Sequence, residues 1–123
     1  VGRAADPHAP LRGLIQNAAE RGDQLLRGLR WLRREHTCLG DVRGLGLMVG
    51  AEVVSPDTGT ADPDGLEQLH RAMRHHGFLL GKTGERRNVL TFQPPLIITA
   101  EQVDVTLEAL ASCLVECAAG TQA

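Results

Sequence analysis

Gly81-Lys82-Thr83 contains the chain's single lysine and has the form that ends a phosphate-binding loop; the basic turn Arg86-Arg87, Asn88 and the double proline Pro94-Pro95 follow it. A phosphate loop needs Gly, four residues, then Gly-Lys-Ser/Thr, because its backbone N–H groups wrap the phosphates at the mouth of a helix. The position five before Gly81 is His76, and the nearest glycine, Gly77, leaves only three residues between. The context is inverted as well: Gly77 closes a predicted helix, and Gly84 interrupts any helix after Lys82. The stretch therefore reads as strand, turn and strand.

Histidines and cysteines are the other reactive types. His70, His75 and His76 fall in one predicted helix, where steps of five and six residues set His70 about 140° and about 120° from the other two. Such a set lacks the i, i+4 spacing of metal-binding helices, so no metal is expected. Cys38, Cys113 and Cys117 are odd in number and form no Cys-x-x-Cys pair, which argues against a secreted disulfide framework. Cys113 and Cys117 read as small core residues.

Composition narrows the class further. At 123 residues with 42% hydrophobic content, the chain is sized to build one core. One Trp, two Phe and no Tyr argue against a base-stacking platform, and a net charge of −2 against a nucleic-acid field. There is no apolar run long enough for a membrane span and no signal-peptide core. The expectation is a cytoplasmic chain with no nucleic-acid and no membrane partner.

The elements follow from periodicity. A helix is predicted over residues 11–35, with Leu11, Leu14, Ala18, Gly22, Leu25, Leu29 and Leu32 on one stripe and Glu20, Asp23, Arg27, Arg30 and Arg34 opposite, as a solvated face. Trp31 lies off the stripe, either a lone exposed residue or a docking anchor. In "GDVRGLGLMVGAEVV", alternation of Leu45, Leu47, Val49, Ala51 and Val53 predicts a strand, bulged or not, whose other face carries Gly44, Gly46 and Gly50. Those glycines read either as a face approached by a backbone or ligand or as a set of bulges. Asp62-Pro63 starts a second helix that buries Leu66, Leu69, Ala72 and Met73 and stops at Gly77. Strands are predicted at residues 78–80 and 89–92. Thr99 and Gln102 form a capping box, with Ile98 and Val103 placed as a staple, and Val103, Leu107, Leu110, Leu114 and Cys117 trace the buried stripe of the last helix.

The order helix, strand, helix, strand, strand, helix predicts an α+β domain, a small, mostly antiparallel sheet with helices on one face. Its boundaries are an irregular segment over residues 1–10, the domain over 11–117 and a tail over 118–123. A sheet covered on a single side, with glycines on the other, is built to dock on something; Trp31, Gly44, Gly46 and Gly50 are the candidate docking residues.

Three ordered motifs, Val-Arg-Gly-x-Gly-Leu, Asn-Val-Leu and Pro-Pro-Leu-x-Ile-Thr, resemble the C-terminal small domain of class III pyridoxal-phosphate aminotransferases, a group that includes alanine–glyoxylate, ornithine and 4-aminobutyrate aminotransferases. "LIQNAAERGDQLLRGLRWL" resembles the helix leading into that domain, and the likeness covers residues 14–114. The resemblance implies the small domain of a fold-type I transferase, packed over a large domain that carries pyridoxal 5'-phosphate on a Schiff-base lysine not present in this chain. Lys82 is then a loop lysine, and no catalytic residue is expected here. It further implies a homodimer when complete, and an amino-acid or amine substrate.

Thr91 departs from the pattern, since ornithine and 4-aminobutyrate members carry an arginine there that clamps the substrate carboxylate. A hydroxyl cannot replace a guanidinium fork. Thr91, Asn88, Arg86 and Arg87 are accordingly the candidates for the substrate rim, and the phospho-lyase branch of the same family stays open. Arg43, in the Val-Arg-Gly motif, is expected to be mainly architectural. The segment "VGRAADPHAP" does not resemble the family, which suggests a truncated, spliced or incompletely recorded chain. The alternative is a noncatalytic module that binds a partner through its glycine face and Trp31.

Overall fold

The computed structural model describes residues 6–121. Helix α1 spans Ala9–Glu35. It begins inside the segment expected to be irregular, because Pro10 sits in its first turn, where the missing N–H leaves nothing unsatisfied and the fixed φ suits a helix. Residues 1–5 of that segment lie outside the described ones. From Gly22 onward the predicted stripe is buried, through Leu25, Leu29 and Leu32, whereas Leu11 is exposed. Arg27 pairs with Asp23 at 2.8 Å on the solvated face.

The stretch predicted as one strand over residues 45–53 is instead the second half of a hairpin. Strand β1, Leu39–Leu45, pairs antiparallel with β2, Met48–Val53, and Leu45 stands opposite Met48 across the two-residue turn Gly46-Leu47. Gly46 takes φ +57° at the first turn position, the requirement of a type II′ hairpin turn. Leu47 folds back to 8% exposure, so the odd-numbered apolar alternation runs on through the turn. Facing changes across the turn. Val42 and Gly44 stand opposite Ala51 and Val49 on the core side, while Arg43 and Leu45 stand opposite Gly50 and Met48 on the outer side. Of the three glycines assigned to a bare face, only Gly50 lies on it; Gly44 faces the core and Gly46 forms the turn.

Helix α2, Pro63–His75, starts at Asp62, whose carboxylate accepts from the Gly65 N–H at 3.0 Å. It ends in a Schellman turn: Phe78 N–H donates to Met73 O, Gly77 N–H donates to Arg74 O, and Gly77 adopts φ +92°. Those bonds displace the next strand. The segment predicted at residues 78–80 has Phe78 N–H committed to the helix end and Leu80 O accepting from His70 Nε2 at 2.7 Å, so pairing begins later, at β3, Gly81–Thr83. Strand β4, Val89–Phe92, lies where expected.

The sheet order is β1-β2-β4-β3, and every neighbouring pair is antiparallel. Helix α3, Ala100–Thr121, opens with the predicted capping box: Thr99 N–H donates to Gln102 Oε1 at 2.9 Å and Gln102 N–H to Thr99 Oγ1 at 3.1 Å. It continues past residue 117 into the stretch expected to be a tail, of which residues 122–123 lie outside the described ones. Val103, Leu110, Cys113 and Leu114 of α3 join Leu29 of α1, Leu66 and Met73 of α2, and Val49, Ala51, Leu90 and Phe92 of the sheet in one core. The architecture is α+β, with the antiparallel sheet covered by helices on one face.

Candidate functional site

Strand pairing sets what the uncovered face carries. Arg43 stands opposite Gly50, Gly50 opposite Thr91, and Thr91 opposite Gly81, so one row crosses all four strands. Gly50 leaves the space between Arg43 and Thr91 without a side chain; a Cβ there would come within 3.1 Å of Val89 Cγ1. Thr91 is buried, and its Oγ1 lies 2.8 Å from Thr83 Oγ1, so its hydroxyl already has a partner. The Arg43 guanidinium lies 2.8 Å from Asp41 Oδ2 and 3.6 Å from Glu52 Oε2. Its charge is answered within the sheet, in keeping with an architectural role.

Beside this row opens a cavity of about 310 Å³ lined by Arg43, Glu52, Gly84, Arg86, Asn88 and Val89. Asn88 fixes its floor: its Nδ2 donates to Val53 O at 3.1 Å, while Val53 N–H donates to Asn88 O at 2.7 Å. That clasp holds the turn over residues 84–88 against β2. Arg87 takes the left-handed φ of 54°, and both Arg86 and Arg87 are exposed and form no ion pair among the described residues. Two unanswered guanidinium groups at a rim can give charge-assisted bonds to an anion. Of the residues expected at a substrate rim, the fold thus brings Arg86 and Asn88 to one cavity, with Thr91 in the neighbouring row and Arg87 beside it on the turn.

Lys82 tests whether this chain could carry pyridoxal phosphate. Its Nζ lies 3.1 Å from both Glu67 carboxylate oxygens, on the edge strand and partly in solvent. The Lys82 hydrogen bond holds the Glu67 carboxyl below its ordinary range. A Schiff-base lysine needs a desolvated pocket and an acidic partner for the pyridine nitrogen. Lys82 is solvated and ion-paired, so the residues present do not fit the cofactor.

A second, apolar groove of about 480 Å³ runs between Phe78, Leu80, Phe92, Pro94, Pro95 and Val105. Its wall is fastened to α1. Asn17 Nδ2 donates to both Leu96 O and Ile98 O at 2.8 Å, and Gln24 Nε2 donates to Ala100 O at 2.9 Å. Sequence reasoning missed this pair, although their seven-residue spacing puts both on one helix face beside the apolar stripe. Trp31 projects from α1 at 59% exposure.

Burial disfavours the thiolate form at all three cysteines. Burial first, then Glu116 and Cys117, pushes Cys113 up to about 11, and burial also raises Cys38 and Cys117. The helix histidines separate as their spacing predicts: His70 serves Leu80 O, while His76 lies beside Glu116.

Residues 10–114 match the family model described as Aminotransferase class-III. The chain is 41% identical over 99 residues to alanine–glyoxylate aminotransferase 2 homolog 2, mitochondrial, of Arabidopsis thaliana, covering 79% of this chain and 20% of that protein. It is 40% identical over 99 residues to a taurine–pyruvate aminotransferase of Bilophila wadsworthia, covering 74% and 21%. A phospholyase from Arthrobacter in complex with phosphoethanolamine superposes with a TM-score of 0.83 at 28% identity, over 88% of this chain and 26% of that one. The chain spans about a fifth of the length of these curated relatives. No helix among the described residues is long and apolar enough to cross a membrane.

Proposed function

Because the chain belongs to the class III aminotransferase family, we propose that it forms the C-terminal small domain of a pyridoxal-phosphate-dependent aminotransferase, whose large domain carries the cofactor and its lysine. The cofactor, when bound there, supplies the electron sink for amino-group transfer. This chain supplies walls. The observation that carries the reading is the family match over residues 10–114, which takes in all four strands, α2 and most of α1 and α3. The uncovered sheet face receives the large domain, and the Arg86–Arg87 turn, held by Asn88, sits at the rim of an amino-acid or amine substrate site. The same reading makes the complete protein a homodimer, located in the cytoplasm.

The test is intact mass of the protein from its natural source, before and after borohydride reduction. The expected result is a mass well above this chain's, with a reduced cofactor adduct on a lysine other than Lys82. A mass matching the 123 residues with no adduct would replace this reading by the noncatalytic partner-binding module.

One observation favours a second branch. Thr91 stands where carboxylate-clamping relatives are expected to carry arginine, and its hydroxyl is taken by Thr83. Elimination of phosphate from a phosphorylated amine needs no carboxylate clamp, and Arg86 and Arg87 suit a phosphate. Release of inorganic phosphate from phosphoethanolamine by the complete enzyme, without an amino acceptor, selects this branch; transfer to an oxo acid selects the first.

A further inference from the structure

On the side of the molecule formed by α2 and α3, His76 at the end of α2 meets two side chains of α3. Its Nε2 lies 3.4 Å from Glu116 Oε1, and one ligand atom from each of His76, Glu116 and Cys113 lies within 4.8 Å of the other two. The three come from fixed positions. The Schellman turn through Gly77 pins the backbone of His76, and Cys113 is locked in the core at 0% exposure. Glu116 is three residues after Cys113, hence on the same helix face. Imidazole nitrogen, thiolate sulfur and carboxylate oxygen are the donor types that zinc accepts, at about 2.0–2.3 Å each in tetrahedral geometry. Donors at such distances stand about 3.3–3.8 Å apart around the metal. The His76–Glu116 edge already has that length, and the remaining edges close by side-chain rotation of Glu116 and His76, both of which are partly in solvent.

We propose that His76, Cys113 and Glu116 form a zinc site between α2 and α3, with the fourth position open to water. On binding, the Cys113 thiol proton leaves to solvent and the thiolate takes the metal. No residue of this set lines the cavities described above, so the site joins two helices and takes no part in amino transfer. Its ligands come from elements 37 residues apart in sequence, His76 and Cys113, which is why histidine spacing within α2 gave no sign of it.

Cobalt(II), added to the reduced 123-residue chain, is the probe, because a tetrahedral cobalt thiolate absorbs strongly in the near ultraviolet and visible. The expected result is one equivalent bound, displaced by zinc. His76→Ala and Glu116→Gln change exposed side chains and leave the fold intact by circular dichroism, yet each weakens binding at least tenfold or so, since even outer-shell partners are worth about 10–100-fold. Cys113→Ser abolishes the thiolate band. Cys117→Ser keeps both band and affinity. Absence of a band up to millimolar cobalt overturns the proposal, as does a band unchanged in His76→Ala or lost only in Cys117→Ser. None of these readouts depends on pyridoxal phosphate, so the outcome is independent of the aminotransferase reading.

Discussion

The carbonyl oxygen of Gly46 occupies the place that a methyl group on Gly22 would need. Helix α1 thus runs against the hairpin turn itself, backbone to backbone. Alanine at position 22 would gain about 1 kcal/mol in helix propensity. Overpacking costs about 1–3 kcal/mol, and here the neighbour is main chain that cannot rotate away. Gly22→Ala is therefore expected to lower the urea midpoint. Gly13, in the same helix with nothing within 4 Å of its Cβ position, gives the opposite sign: Gly13→Ala should raise it, by up to about 1 kcal/mol.

Asn88 is the strut of the turn over residues 84–88. Asn88→Ala removes the donor to Val53 O in a buried setting, for an expected loss of about 1–3 kcal/mol by chemical denaturation. On the proposed reading of this turn as a substrate rim, the same change in the complete protein should also weaken substrate binding, by loosening Arg86. Arg86→Ala, being exposed, should alter KM with stability unchanged within about 0.5 kcal/mol.

Glu67 gives a pH signature of defined sign. Its folded pKa lies below the ordinary carboxylate value because Lys82 donates to it. Its contribution to stability is accordingly present above the unfolded pKa of about 4.3 and disappears as pH falls through the folded value. Both side chains are exposed, so salt should screen the effect. Lys82→Ala should flatten this part of the acid limb in thermal melts at low salt: it should lower melts slightly above about pH 5, and leave them nearly unchanged at pH values where Glu67 is already protonated.

Leu45 at 87% and Met48 at 59% exposure stand side by side at the hairpin end on the open face. An isolated chain carrying this face in water is expected to self-associate. Sedimentation should show a concentration-dependent shift in mass that Leu45→Ser with Met48→Ser reduces; a monomer at every concentration would contradict the assignment of this face to docking.

Much of the fold is legible where a signal is local. The Asp62 cap and the Thr99–Gln102 box are contiguous motifs whose hydrogen bonds form as written. The buried stripes of α2 and α3 follow from the helical period. The hairpin was hidden because Leu47, a turn residue, is buried and so continues the odd-numbered pattern of β2; only Gly46 at a II′ position marked the break. The strand at residues 81–83 was displaced by tertiary bonds, above all His70 to Leu80 O, that no local pattern encodes. The candidate site divides in the same way. Arg86 and Arg87 are visible as a charged turn, whereas the burial of Asn88 and the tie of Thr91 to Thr83 depend on strands meeting in space.

The sheet's two outermost strands have a consequence for how the chain meets its own copies. On one side β1 is irregular between Leu39 and Val42 and carries Asp41 and Arg43. On the other, β3 is only three residues long and carries Lys82. Short, kinked and charged borders make poor templates for a further strand. Such borders oppose lateral growth into a continuous ribbon, so contact between copies of this chain would be expected through the open sheet face rather than its rims.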